Sequence, residues 1–221
     1  SFASLRIIHS SHQRITSGYL QTNLQSVLGL IRYWDSQNRG VVRVLVDSPM
    51  GRDLIIRVLD EDGARRETAQ ALRGWLFPLL LPMGFEGYQV LNLDRRIIAA
   101  SSANYVGETL QPAEIGEALD RALVEGTSIS RPVAAHQPME GPRGMVPPGA
   151  LMQNLCVLVE RAFVKRGYFC LRLNPQRSFF PIFQSGRTGE SGEAYAIDRS
   201  GRIISPSRFE HVHNILSYSS Y

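Results

Sequence analysis

The chain has 221 residues, 43% of them hydrophobic and 20% charged, a composition that suits one large domain or two small ones and allows a sizeable core. Its 24 Lys and Arg are scattered among 20 Asp and Glu, so the net charge of +4 describes a mixed solvated surface and argues against nucleic acid as a partner. Cys156 and Cys170 are the only cysteines, which excludes a zinc site built on cysteine pairs and limits a disulfide framework to one bridge.

From about 11 to 36, the residues Leu20, Leu24, Val27, Ile31 and Trp34 recur at spacings of four and three, the stripe of one helix face. The expected helix is a spine, and its stripe suits either a core contact or the seam of a homodimer. Residues 40 to 60 read as two short helices broken at Ser48-Pro49, with a strand over 41 to 46 as the competing reading. Arg65 to about Leu81 predicts another helix, with Leu72, Trp75, Leu76 and Leu80 on one side and Pro78 expected to kink it or end it early. The longest apolar stretch, Trp75 to Met83, contains Pro78 and Pro82 and is too short to span a bilayer, and the start of the chain lacks the basic-then-apolar order of a signal peptide. A membrane anchor is therefore expected outside this sequence.

Strands are predicted at about 87 to 93 and 97 to 102, followed by a loop at Tyr105-Val-Gly107. A helix is expected from Pro112 to Glu125 with Gly126 as its stop, then a strand at about 127 to 133. Ala135 to Gly149 is rich in proline and glycine and lacks periodicity, which predicts either a functional flap or a disordered run. Strands at about 153 to 163 and 168 to 173 come next, turning at Lys165-Arg166-Gly167, and a short helix after Asn174-Pro175 carries Phe179, Phe180, Ile182 and Phe183. Such a hairpin brings Cys156 and Cys170 near each other. Two separate buried thiols are the preferred reading, with a bridge as the alternative in an oxidising compartment. Helices first, then hairpin, helix and three antiparallel strands, make an α+β domain with one sheet covered on at least one face.

One segment occurs twice. Tyr88 to Ser101 and Ala194 to Ser207 share an apolar strand, Asp-Arg (Asp94 and Asp198), a turn, then Arg-Ile-Ile and a run ending in serine. The echo suggests two related modules in tandem. In the second copy Gly201, three residues after Asp198, is expected to supply a positive φ, and the first copy has no glycine there.

The stretch Gly186-Arg-Thr188-Gly189-Glu-Ser-Gly192-Glu-Ala-Tyr195-Ala-Ile-Asp198-Arg-Ser-Gly201 resembles the signature that opens the second lobe of double Cache domains, the PAS-like extracytoplasmic sensor modules of bacterial transmembrane receptors. The resemblance implies a long N-terminal spine helix over 1–39, a first, membrane-distal Cache lobe over 40–175, and the start of a second, membrane-proximal lobe over 176–221. Only fourteen residues follow Ser207, so that second lobe is expected to be incomplete here. The family's amino-acid-binding subset carries Arg-x-x-Trp-Tyr after the first hairpin. Here Trp34 and Trp75 both fall in predicted helices, which argues against an α-amino-acid ligand.

Catalytic constellations are scarce. His211-x-His213 has a metal-compatible spacing but no third ligand nearby, and His9, His12 and His136 lie apart from any Ser/His/Asp arrangement. Glu190 and Glu193 suit turn caps, and the glycines at 186, 189 and 192 lack the Gly-Lys-Ser/Thr ending of a phosphate loop. No cofactor is expected. By position in a PAS-like lobe, Tyr105 in the loop after the first hairpin, Ser101 at a strand end, Asn92 as a polar residue in an apolar strand and Arg131 before Pro132 are the candidate ligand contacts, with Arg131 as anchor for a carboxylate under the flap. Each also has a plain structural role open to it. The reading is a non-catalytic, membrane-anchored, periplasmic small-molecule sensor. A cytoplasmic PAS-like or profilin-like interaction module is the alternative, and a soluble hydrolase comes third.

Overall fold

Ser48 breaks the helical start of the chain, because its hydroxyl accepts from Gly51 N at 3.1 Å and Pro49 then opens the next helix at its first position. On its N-terminal side runs α1 (Phe2–Asp47), longer than the periodicity predicts, and on the other α2 (Pro49–Asp60) and α3 (Arg66–Met83). Residues 41 to 46 are thus helix. The structure, a computed structural model, describes residues 2–62, 65–110, 115–186, 194–198, 201 and 203–206, with 2–17 as backbone only. Two compact units divide the chain: Ser36–Ser178, and Ser1–Asp35 with Phe179–Tyr221.

Pro78 does not end α3, which runs on to Met83. Pro78, Pro82 and Gly74 all lie on its exposed face, where water takes up the carbonyl that a proline four residues on leaves without a donor, while Leu72, Leu76 and Leu80 are fully buried on the other. Each of those leucines contributes about 1.5–3 kcal/mol by burial, enough to hold the helix across the lost bonds.

The larger unit is built on an antiparallel sheet. Its strands are β1 (Phe85–Asn92), β2 (Ile97–Ala100), β3 (Thr127–Ile129), β4 (Val133–Ala134), β7 (Leu151–Arg161) and β8 (Val164–Leu173), in the order β2-β1-β8-β7-β3 with β4 also on β7. The single strand predicted over 127 to 133 is divided because Pro132 has no N–H for the ladder, and Ser130 substitutes its hydroxyl, which accepts from Asn154 N at 2.8 Å. Between β2 and β3 come a 3₁₀ turn at Ala103–Tyr105 and α4 (Glu117–Glu125), which ends at Gly126 with φ 81° as predicted. The helix start expected at Pro112 lies outside the described residues.

The run from Ala135 to Gly149 is not structureless. It contains a two-stranded hairpin, β5 (Met139–Gly141) and β6 (Gly144–Val146), so it is a folded flap. After β8 come α5 (Pro175–Ser178) and, in the other unit, α6 (Phe180–Gln184). There Phe179 packs against Trp34 in a tilted contact with ring centroids 4.9 Å apart, and Asn23 Nδ2 donates to Gly186 O at 2.9 Å.

Side chains alternate across the sheet. Leu91, Met152, Cys156, Tyr168 and Cys170 share one core with Tyr105, Leu110, Met139 and the α4 residues Ala118, Leu119 and Ala122. Tyr88, Val90, Phe169 and Leu171 turn to the other face, where α2 and α3 pack. Glycine at 167 is required there, since a Cβ would meet Leu91 O at 2.2 Å and Leu59 Cδ2 at 2.5 Å.

The β7–β8 turn sits at Ala162-Phe163, both with positive φ, three to four residues before the predicted centre at Arg166. The register then slips by one between Val159 and Glu160, which places Cys156 opposite Cys170; continued unbroken from Arg161↔Val164, the pairing would set Leu155 there. The two cysteines form a disulfide with Cα atoms 4.1 Å apart, which corrects the preferred reading of separate thiols.

The two similar hairpins have separate surroundings: Leu91↔Ile97 belongs to the main sheet, whereas Ile197↔Ile203 is an isolated bridge. Their correspondence also shifts. Arg95 N donates to Asn92 O at 3.1 Å and Gly201 N to Asp198 O at 3.0 Å, so Asp198 matches Asn92 and not Asp94. Arg95, with φ 65°, takes the left-handed place that Gly201 fills at 82°.

Candidate functional site

Three polar side chains project from the α4 face of the sheet into the space under the flap. Gln89 (1% exposed), Arg172 (7%) and Asn154 come from the adjacent strands β1, β8 and β7. The ladder brings Arg172 opposite both Gly87 and Asn154, one row from the disulfide, and Gln89 opposite Cys170. With Tyr105, Leu110, Ile115, Met152 and the flap-base residues 133–136, they line a cavity of about 40 Å³. That is well short of the roughly 300–1,000 Å³ of a usual small-molecule pocket, so the cavity would have to widen to take more than a few waters.

The guanidinium of Arg172 lies over the Tyr105 ring, 4.1 Å from its centroid, and its Nη1 touches Met139 Sδ of the flap. Gln89 Nε2 and Asn154 Oδ1 are buried and have no hydrogen-bond partner among the described residues. A donor and an acceptor kept from water on an otherwise apolar wall are costly unless something completes them. A guanidinium beside them is suited to a carboxylate, and Asn154 Oδ1 to an ammonium or hydroxyl group.

The flap is pinned from several sides. Tyr105 OH donates to Gln137 O at 3.0 Å, Asn104 Nδ2 to Pro138 O at 2.7 Å, and Arg73 Nη2 pairs with Glu140 Oε1 at 2.8 Å. At its base His136 Nε2 lies 3.0 Å from Glu108 Oε2, and Gln137 Nε2 donates to Glu108 Oε1 at 2.9 Å. Burial pushes the Tyr88 hydroxyl up to about 12, against the opposing field of Arg73, on the opposite face.

Of the four residues singled out from sequence, only Tyr105 lines this cavity. Asn92 holds the first hairpin, its Oδ1 accepting from Arg96 N at 3.0 Å. Ser101 is buried at the strand end, where its Oγ accepts from Tyr88 N at 3.2 Å and its carbonyl from Arg73. Arg131 is half-buried at the break between β3 and β4. Sequence reasoning missed Gln89, Asn154 and Arg172; the available signal was the alternation that sets Arg172 on the same side as Tyr168 and Cys170. A second hollow of about 250 Å³, beside Arg43, Asp47, Arg52 and Glu160, is polar, and in it Arg52 reaches Glu160 O at 3.2 Å and the Asp47 carboxylate at 3.7 Å. The motif residues 187–193 and the pair His211 and His213 lie outside the described residues.

No described helix is long and apolar enough to cross a membrane. No family model and no curated protein sequence matches the chain. Solved structures do. The sensor domain of the V. cholerae histidine kinase DctB superposes with a TM-score of 0.54 at 11% identity, over 80% of this chain and 61% of that one. The ligand-binding domain of the Pseudomonas fluorescens chemoreceptor CtaA, in complex with L-serine, gives 0.55 at 13% identity, over 89% and 74%. That of the Pseudomonas aeruginosa PAO1 amino acid chemoreceptor PctC, in complex with GABA, gives 0.52 at 12%, over 88% and 77%. The chain thus spans about three fifths of the DctB sensor domain's length. At these identities the likeness establishes architecture: the chain has the α+β, PAS-like Cache fold of bacterial sensor domains.

Proposed function

We propose that the chain is the extracytoplasmic small-molecule-sensing region of a bacterial transmembrane receptor, with no catalytic activity of its own. The observation that carries this reading is the buried trio Gln89, Arg172 and Asn154, polar groups in the core of a Cache-type lobe beneath a pinned flap. Arg172 serves as anchor for a small carboxylate, in the role first given to Arg131, and Tyr105 and the flap close over it. The Cys156–Cys170 bridge supports an oxidising compartment, in keeping with a periplasmic location and a membrane anchor in the parent receptor.

The lobe proper is the unit from about 40 to 175, with 176–221 belonging to a second lobe. Self-association runs along α1, where Tyr19, Leu20, Leu24 and Tyr33 are exposed. Ligand binding acts on the receptor only through its difference in affinity between the flap's two positions.

A thermal-shift screen of small carboxylates, amines, purines and sugars tests the proposal, since a ligand of the native state raises the unfolding temperature. A carboxylate should give the largest shift, and one abolished in Arg172→Ala. A panel with no shift, or a shift untouched by that substitution, overturns the site.

A further inference from the structure

Glu86 is a buried carboxylate that the pocket does not use. It is 3% exposed and is the extra residue of a bulge in β1, where Phe85 pairs with Leu173 and Gly87 with Arg172. A bulge re-aims one side chain out of the alternation. Here it aims the carboxylate at two arginines from different parts of the same unit. Arg143 Nη1, in the turn of the flap hairpin, donates to Oε1 at 2.9 Å, and Arg177 Nη1, in α5, donates to the same oxygen at 3.1 Å. The flap backbone is fitted to this carboxylate as well. A Cβ on Gly141 would lie 2.9 Å from Glu86 O and 3.5 Å from Glu86 Oε2, so the approach needs glycine.

We infer that Glu86 is the link through which the position of the flap is passed to α5. A carboxylate this buried needs its cations, and both bind one oxygen, so removing Arg143 admits water and changes the acceptor geometry that Arg177 meets. Apart from Arg172 of β8, which touches Met139, the other flap anchors named above run to Arg73, Ser102, Asn104, Tyr105 and Glu108, before α4 in the chain; Glu86 joins the flap by an ion pair to the helix at whose end, Ser178, the unit stops. In a sensor, on which reading the purpose of this link rests, a lifted flap would release Arg143 and so loosen α5.

Amide hydrogen exchange followed by NMR on the whole chain, without added ligand, tests the link. The amides of Arg177 and Ser178 both donate to Asn174 O, at 3.1 and 3.2 Å. Arg143→Gln should make them exchange about tenfold faster, although Arg143 makes no hydrogen bond to α5 among the described residues, and Arg177→Gln should do the same to the Glu140 amide of the flap. Both effects should vanish in a Glu86→Gln background. Unchanged exchange at 177 and 178 in Arg143→Gln, or an effect that persists without the carboxylate, overturns the link. Should Glu86→Gln fail to fold, Arg143→Lys decides: a retained cation must restore slow exchange, and failure to do so overturns it. Because no ligand is used, a barren thermal-shift screen would sink the sensor reading and leave this result standing, and the reverse also holds.

Discussion

Arg172 lies across Tyr105 with its guanidinium carbon 4.1 Å from the ring centroid, so a cation from the central strand β8 and an aromatic from the turn after β2 close the same cavity from two sides. A desolvated contact of this kind is worth about 2 kcal/mol. It holds the charge ready where a ligand carboxylate would meet it.

Removing that charge should therefore be felt in binding. For the carboxylate with the largest thermal shift, Arg172→Ala is expected to weaken affinity by about 2–5 kcal/mol, the cost of losing a buried charged partner. Arg131→Ala, outside the cavity lining, should change it by no more than about 0.5 kcal/mol. Isothermal calorimetry on both folded variants makes the comparison; equal losses would return the anchor to Arg131.

The bridge is expected to matter for stability and compartment. Cys156 and Cys170 close a loop with a sequence separation of 14, for which a disulfide stabilises by about 3 kcal/mol. The double variant Cys156→Ala/Cys170→Ala should lose about 2–4 kcal/mol in urea unfolding. Thiol titration of the unfolded, unreduced protein should find no free thiol, and two would refute the pairing.

Alkaline pH should unfold the larger unit through Tyr88. Its hydroxyl is held protonated to about 12, above its ordinary value of 10.0, by burial. Between those values the unfolded chain has released the proton and the native state has not, so unfolding is favoured as pH rises. The stabilisation is complete below about pH 10 and falls by up to roughly 2–3 kcal/mol towards pH 12. Urea titrations across pH 9–12 should show this decline, and Tyr88→Phe should flatten it.

Gly87 is expected to resist substitution for a packing reason. A Cβ there would lie 2.5 Å from Ser101 Oγ and 3.7 Å from Met139 Sδ, so Gly87→Ala should cost about 1–3 kcal/mol. Ser101→Ala should relieve part of that clash, so the double variant should be less destabilised than the sum of the singles. Additive losses by chemical denaturation would argue against the contact.

Much of the architecture was legible in the residues because its determinants are local. Ser48-Pro49 breaks a helix by its own hydroxyl and ring, Gly126 ends α4 by its left-handed φ, and the apolar spacing of Leu72, Leu76 and Leu80 needs no partner to be read. The α+β order and the similarity of the two hairpins came from the same short-range signals, although the matching of Asp198 to Asn92 required the backbone bonds.

What only the tertiary structure decided was register and burial. The disulfide depends on a one-residue slip between Val159 and Glu160, and Glu86 meets Arg143 and Arg177 because of another slip after Phe85. Such bulges leave no distinct residue pattern. An arginine in a strand reads as solvent-facing, and Arg172 is buried instead because the flap, Tyr105 and Met139 cover it from sequence positions 33 to 67 residues away, a closure that no local propensity encodes. The sequence by itself determined most of the helices and the long strands, though not the flap hairpin or the division of β3 from β4; the long-range pairings determined which polar groups face the cavity, because a side chain's surroundings are set by neighbours distant in the chain.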